Sequence, residues 1–304
     1  MTEPFHVGEI AIQERTGERE IAILNGRLIG ERIPERAAAF VDQQQYCVLS
    51  WEAADSDLWA MLLTGMPGFA SVLESGTMLR LLLGSPTHPN ATSDQLATLS
   101  EGDPLGALFI ELSSRRRLRV NGRVSSLSNE HLHLMVEEAF PNCPKYIQRR
   151  HASQASVHRA TEASERGDTL TEPLVRWIVE ADTFFVASGL SRGAIDASHR
   201  GGRAGFVKVR GGVLHIPDYK GNSMFGTLGN FAVNPRAGLA FIDFARGRQL
   251  QLTGDVRLEF DMASDFDATG GTGRWWTFTP RSWIVSPLRA GLEWTPPENS
   301  PFNP

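Results

Sequence analysis

Gly106 to Val124 reads GALFIELSSRRRLRVNGRV and Gly238 to Val256 reads GLAFIDFARGRQLQLTGDV, each residue of the second stretch lying 132 positions after its counterpart. In this ungapped pairing Phe109 meets Phe241, Ile110 meets Ile242, Glu111 meets Asp243, Arg116 meets Arg248, Leu118 meets Leu250 and Gly122 meets Gly254. Self-similarity of this length marks an internal repeat, which bears on architecture before any single element is assigned. Upstream, Phe40 to Ser50 (FVDQQQYCVLS) matches Ile178 to Ser188 (IVEADTFFVAS) at a displacement of 138, each a short helical segment running into an apolar strand. The first copy thus has six more residues between these landmarks. They are expected as a surface excursion within Ser85 to Gly102, a stretch rich in Pro, Asn, Ser, Thr and Gly.

Strand signals dominate both copies. Arg203 to Val209 (RAGFVKV), the pair Gly211 and Gly212, and Val213 to Ile216 predict a hairpin, because glycine supplies the positive φ of tight turns. Leu250, Leu252 and Val256 alternate with polar residues at the period of a half-buried strand. Short strands with glycine turns favour a barrel or sandwich, so the fold class is mainly β with flanking helices (α+β), as two tandem barrels. Asn129 to Arg150 carries an amphipathic pattern broken by Pro141 and Pro144 and predicts a linker helix. The polar stretch from His151 to Gly167 places a boundary there, giving a first domain over 1–150 and a second over 151–304.

The chain has 304 residues, of which 41% are hydrophobic and 21% charged, enough for two packed domains with a substantial core. A net charge of −5 argues against a general nucleic-acid or anionic-membrane binder, so any phosphate contact must be local. Two cysteines, Cys47 and Cys143, make neither a disulfide framework nor a closed zinc site and fit a reducing compartment. With no basic leader and no apolar run long enough to span a bilayer, the expectation is a soluble cytoplasmic protein with no membrane partner.

The densest chemical constellation is Asp196 to Asn230, which holds Arg200, Gly201, Gly202, Arg203, Lys208, Lys220, Gly221, Asn222 and Ser223. Arginine offers a bidentate fork to an anion, lysine a point charge, and glycine lets main-chain amides come close. By residue type alone, an anion site and solvated charge around glycine turns both remain open. Arg203 and Lys208 are five apart, so a regular strand would put them on opposite faces, and a bulge at Gly205 would be needed to bring both to one phosphate.

Asp196 to Val209 (DASHRGGRAGFVKV), Asp218 to Asn230 (DYKGNSMFGTLGN), Pro235 to Phe244 (PRAGLAFIDF) and Gln249 to Gly254 (QLQLTG) resemble the pyridoxamine 5′-phosphate oxidase-related FMN-binding family. Phe140 to Arg150 (FPNCPKYIQRR) resembles the linker of its two-copy branch. The resemblance implies tandem six-stranded split barrels holding FMN, usually at a subunit interface. It also implies a set of cofactor-binding residues: Ser198, Arg200, Arg203, Ala204, Gly205, Phe206 and Lys208 on one strand, Asp218, Lys220, Asn222 and Ser223 on a phosphate loop, and Gln249 near the flavin. The first copy has Gly68, Phe69 and Leu79 to Gly84 where the second has Arg203 and the Lys220 loop, so one FMN per chain is expected. The chain lacks a match to the full pyridoxal-phosphate pocket of true oxidases, which argues against pyridoxamine phosphate as substrate.

His199 is the catalytic candidate, because a group titrating near neutrality can move a proton beside a flavin; the bland alternative is a turn residue. His131 and His133 have a chelating spacing but no matching carboxylate or cysteine, so no metal site is expected. Cys143 reads as part of a turn tying the barrels together, Arg115 to Arg117 as solvated charge, and Trp275 with Trp276 as core or pocket wall. The leading expectation is an FMN-dependent oxidoreductase working with a small-molecule substrate or electron donor, in a homodimer. Its rivals are a non-catalytic carrier or sensor of haem or another flavin, and a structural dimer whose site has decayed.

Overall fold

The computed structural model describes residues 3–83, 95–154, 164–261, 266–288 and 291–304. Much of the excursion expected at Ser85 to Gly102, and of the polar boundary at His151 to Gly167, lies outside the described residues.

Two antiparallel sheets carry the fold, with few helices. The first contains β1 (Tyr46–Glu52), β2 (Leu58–Thr64), β3 (Ala70–Leu73), β4 (Met78–Leu82), β5 (Pro104–Glu111), β6 (Arg116–Leu127) and β7 (His131–Pro141) in the order β2-β1-β5-β6-β7-β4-β3. Two short strands follow, β8 (Ala152–Gln154) and β9 (Glu165–Gly167). The second sheet contains β10 (Thr183–Gly189), β11 (Ile195–Gly201), β12 (Lys208–Arg210), β13 (Val213–Pro217), β14 (Arg236–Asp243), β15 (Arg248–Glu259) and β16 (Trp275–Pro287) in the order β11-β10-β14-β15-β16-β13-β12. Taken strand for strand, the two orders are the same. β9 adds to β16, and β17 (Leu292–Trp294) pairs with β8.

Detail follows the same correspondence. Phe109 pairs with Leu118 and Phe241 with Leu250, and the β6–β7 and β15–β16 ladders both slip register at a glycine, Gly122 and Gly254. A Cβ on either glycine would run into a backbone carbonyl of the neighbouring strand, Met135 or Thr279, so the bulge requires the missing side chain.

The central strands are apolar on both faces because each sheet packs two ways. Cys47, Leu49 and Trp51 of β1 enter a core private to the first sheet, and Phe184 and Val186 of β10 one private to the second. Tyr46 and Val48 join Phe185, Ala187, Ile195 and Ala240 in a third core between the sheets. Gly106 and Gly238 allow that approach: a Cβ on Gly106 would lie 2.5 Å from the Ile195 carbonyl oxygen, and one on Gly238 would lie 2.5 Å from that of Leu58.

Of the helices, α1 (Val7–Arg15), α2 (Arg19–Gly26) and α3 (Glu35–Asp42) precede the first sheet, α4 (Glu172–Glu180) precedes β10 and α5 (Gly226–Val233) precedes β14. α1 packs on α5 of the other half. Gly8 and Gly229 face each other there, a Cβ on Gly229 coming within 2.6 Å of the Glu9 backbone.

Two local expectations are corrected. The linker helix expected across Asn129 to Arg150 is instead β7 followed by irregular chain; His131 to Glu137 alternates half-exposed or exposed with buried residues, a period of two that pairs with β4 and β6. The hairpin strand expected from Arg203 shortens to β12, because Phe206 N–H closes a turn onto the Arg203 carbonyl and Gly205 takes φ +89°. Among the described residues, no helix is long and apolar enough to cross a membrane.

Candidate functional site

β2 and β11 end their sheets, so each would offer unpaired backbone groups unless something covers them. The opposite half does so. Gln251 donates from Nε2 to the Ala60 carbonyl (2.9 Å), and Gln249 accepts the Leu62 N–H on Oε1 (2.8 Å), closing the edge of β2. At the corresponding place on β11, Arg119 donates from Nε to the Ala197 carbonyl at 3.1 Å. The residue matching Gln249 is Arg117; the ladders set β1 and β2 against β10 and β11 at a displacement of 137, one less than the sequence pairing of 138, so the residue matching Leu62 is His199. Arginine has no acceptor to give the His199 amide. One of the two related edges is sealed by glutamines, and the other is opened by arginines.

A cavity of about 250 Å³ lies at the open edge. Its walls are β6 and β7 with the linker through Tyr146 on one side, and β11 with the loop from Pro217 to α5 on the other. Arg117 donates from Nε to the Cys143 carbonyl (2.7 Å), with a second donation from Nη2 to the same oxygen, and no carboxylate pairs with it among the described residues. Its pKa is pushed down to about 9 by burial, with the Arg119 and Arg200 charges adding to the effect against an opposing Cys143 contribution, so it stays cationic at neutral pH. Arg200 faces Asp218 at 3.7 Å, and its Nε has no hydrogen-bond partner.

His199 is buried and its Nε2 also lacks a partner. Burial, then Arg117, Arg200 and Arg150, hold its pKa well below the usual imidazole range, so the ring is neutral. A Phe185 edge contact with centroids 5.7 Å apart steadies it.

The Pro217 loop is locally strained, with Ser223 at φ +62° and Phe225 at φ +60°, positions where non-glycine residues are uncommon. Side chains hold it. Arg274 donates to Asp218 Oδ2 (2.9 Å) and Glu18 Oε1 (3.0 Å), Ser223 donates to Glu18 Oε2 (2.5 Å), and Tyr146 donates to the Lys220 carbonyl (3.0 Å).

The far end of the cavity is acidic. Asp196 accepts from Asn121 Nδ2 (2.8 Å) and Asn230 Nδ2 (2.9 Å) and pairs with Arg119 at 3.0 Å. α1 brings Glu9 beside it, with Oε2 accepting the His6 N–H at 3.0 Å. Burial first and the Asp196 charge second push the Glu9 carboxyl from its ordinary 4.5 up to about 8, so it is protonated at neutral pH. The folded value exceeds the unfolded one; this contribution to stability is whole below pH 4.5 and is lost as pH rises towards 8. Melting temperature should therefore decline across that window, and Glu9→Gln should flatten the decline, leaving a remainder from Glu138, which burial also raises.

Of the residues singled out in the sequence, Ser198, His199, Arg200, Asp218, Asn222 and Ser223 line this cavity. Arg203, Ala204 and Gly205 form an exposed turn, Arg203 reaching the Pro304 carbonyl at 3.4 Å. Phe206 stacks on Phe184 in the second core, Lys208 sits 5.3 Å from the Trp275 ring, Lys220 is exposed, and Gln249 seals β2. The structure does not bring these to the cavity. It brings Arg117, Arg119, Asn121, Lys145 and Tyr146 instead. In the sequence Arg117 reads as solvated charge; its signal there is the repeat itself, where Arg117 and Arg119 stand in place of Gln249 and Gln251 on corresponding strands. The His131 and His133 rings lie 4.7 Å apart and tilted by 60°, and His133 Nδ1 hydrogen-bonds with Ser126 Oγ at 2.9 Å.

These features define a two-sheet antiparallel protein with an arginine-lined cleft between its halves. No protein-family model matches the sequence, and no curated protein matches it. Among solved structures, the chain is similar to HupZ of Group A Streptococcus, at 14% identity over 41% of this chain and 98% of that one, with a TM-score of 0.28. It is also similar to a general stress protein 26-related protein of the pyridoxinephosphate oxidase family from Clostridium acetobutylicum (12% identity, 39% and 88% covered, TM-score 0.28). A third is HutZ, the heme storage protein of Vibrio cholerae (12% identity, 43% and 98% covered, TM-score 0.25). All three scores are low, so the reading of the site rests on the geometry of this chain.

Proposed function

We propose that the cleft between the halves binds FMN, that each half is a split barrel, and that the protein is an FMN-dependent oxidoreductase acting on a small molecule. The observation that carries the reading is a pair of buried polar atoms without protein partners, Arg200 Nε and His199 Nε2, beside the carboxylate-free Arg117 around one cavity. Such a set suits a ligand with a phosphate and an acceptor-rich rim. Arg117, Arg200 and Lys145 would hold the anionic group. The His199 amide on the edge of β11, beyond the Ala197 carbonyl that Arg119 covers, and Ser198 would meet the polar rim, with Tyr146 and Phe140 as apolar wall. FMN, when bound, supplies hydride transfer at its N5. Neutral His199 can accept or donate a proton at Nε2, and the two sheets exclude water from one side of the cleft. A cytoplasmic location and a homodimer belong to the same proposal.

A haem carrier is the second reading, favoured by one feature: the buried, neutral His199, whose Nε2 has no partner, is of the kind that would hold a haem iron. One experiment addresses both. Purified protein is incubated with FMN or with haemin, desalted, and its absorption spectrum recorded beside Arg117→Met/Arg200→Met and Arg203→Ala/Lys220→Ala. Retained flavin absorption in the parent and the second variant but not the first supports the FMN reading. A Soret band lost in His199→Ala supports the carrier, and a colourless parent with both ligands defeats both.

A further inference from the structure

A second, larger cleft of about 860 Å³ lies on the other side of the second sheet, between α4 and the start of β15. Trp177, Phe244 and Trp294 wall it, the last two in edge contact at 5.0 Å. Arg150 lies 4.2 Å over the Phe244 ring and Arg248 lies 5.3 Å over that of Trp177.

Among the described residues, five polar groups around this cleft are buried without a partner: Arg150 Nη1, Arg248 Nε, Trp177 Nε1, Trp294 Nε1 and Thr183 Oγ1. Arg150 is 7% exposed and Thr183 1%, so water is a poor substitute partner for either. Four of the five can only donate. Orphaned buried donors are costly, and a shared cavity is the simplest place for their acceptor.

The repeat shows how the vacancy arises. In the first half Arg116 corresponds to Arg248, and it donates from Nε to Ser114 Oγ (3.0 Å) and from Nη2 to Glu111 (2.8 Å). The residue matching Ser114 is Arg246, which cannot accept and which draws Asp243 to itself at 3.1 Å, leaving that carboxylate 3.6 Å from Arg248. Arg116 also lies 5.1 Å over the Phe40 ring, so the same trio of arginine, aromatic ring and acid is closed in one half and open in the other.

We propose that this cleft is a second ligand site, taking a flat aromatic ring that carries a carboxylate. The aromatic walls take the ring, and two guanidinium N–H groups with two indole N–H groups take the oxygens. Arg150 already holds Asp182 at 2.7 Å, Arg246 and Arg248 share Asp243, and the exposed Glu165 and Glu180 also line the cleft, so a single carboxylate suits it better than a phosphate dianion. The proposal does not depend on what the first cleft binds.

The test uses 2-naphthoate as probe, read by tryptophan fluorescence quenching on the full chain, with 2-naphthalenemethanol as its neutral counterpart. The expected result is saturable quenching by the carboxylate, at least tenfold weaker for the alcohol and for Arg248→Met, weaker again in Trp177→Leu, and unchanged in Arg117→Met. Two variants on different elements guard against loss of binding through misfolding of one, and each is compared at equal melting temperature. Absence of saturable quenching in the parent overturns the proposal. So does binding that Arg117→Met weakens and Arg248→Met leaves intact, which would assign the probe to the first cleft.

Discussion

Arg117→Met is expected to weaken FMN binding about a hundredfold, from the loss of a charge-assisted contact worth roughly 2–3 kcal/mol in a partly desolvated site. Arg117 is a cation of the cleft that no carboxylate neutralises among the described residues, and burial first, then the Arg119 and Arg200 charges, depress its pKa. An anion offsets those charges, so removing the side chain removes much of the reason to bind. Arg117→Gln makes a sharper case. It installs at the open edge the residue that closes the other one, where Gln249 accepts the Leu62 amide at 2.8 Å. The glutamine should accept the His199 amide, abolish flavin retention and raise the melting temperature of the ligand-free protein. Equilibrium dialysis with FMN and a thermal melt read the two effects together; a glutamine variant that binds like the parent would show that Arg117 does not face the cofactor.

The second large effect is on folding. Gly238→Ala and Gly106→Ala should each destabilise the chain by about 3 kcal/mol, the upper end of what overpacking costs, because neither added methyl has a flexible neighbour to displace. At Gly238 the methyl would lie 2.5 Å from the Leu58 carbonyl oxygen and 2.6 Å from the Trp59 Cα; at Gly106 it would lie 2.5 Å from the Ile195 carbonyl oxygen and 2.8 Å from the Ala197 amide nitrogen. All four neighbours are backbone of the edge strand of the other half. Gly221→Ala is the control, since nothing lies within 4 Å of that position. Urea melts of the three variants decide it. If the first two unfold like the control, the sheets do not close against each other in solution as they do here.

Both predictions turn on residues that mean little alone. Gly106 and Gly238 were visible as a matched pair in GALFI and GLAFI, but nothing local says why a strand interior should keep a glycine. The reason is a strand of the other half, and the Gln249 and Gln251 bonds that accompany it span 187 and 191 residues of sequence. Arg117 was hidden for a related reason. Within RRR it reads as one more solvated charge, and Arg116 does pair on the surface with Glu111 at 2.8 Å, while its neighbour turns inward to the Cys143 carbonyl. Arg203 and Lys208 show the opposite case. The family resemblance joined them at one phosphate although their spacing sets them on opposite faces of a regular strand, and the turn at Gly205 leaves Arg203 exposed and Lys208 beside Trp275.

By itself the sequence determined what depends on neighbours a few residues away: the apolar strands, the glycine turns, the pairing of Gly122 with Gly254, and the correspondence of the two halves. It also singled out Ser198, His199, Arg200 and the Asp218 to Ser223 loop, which lie within one continuous stretch. Tertiary structure alone decided which edge is sealed and which is open. That outcome depends on whether the side chain arriving from the opposite sheet can accept a hydrogen bond, as Gln249 can and Arg117 cannot, and a strand's own residues carry no record of what will be placed against its edge.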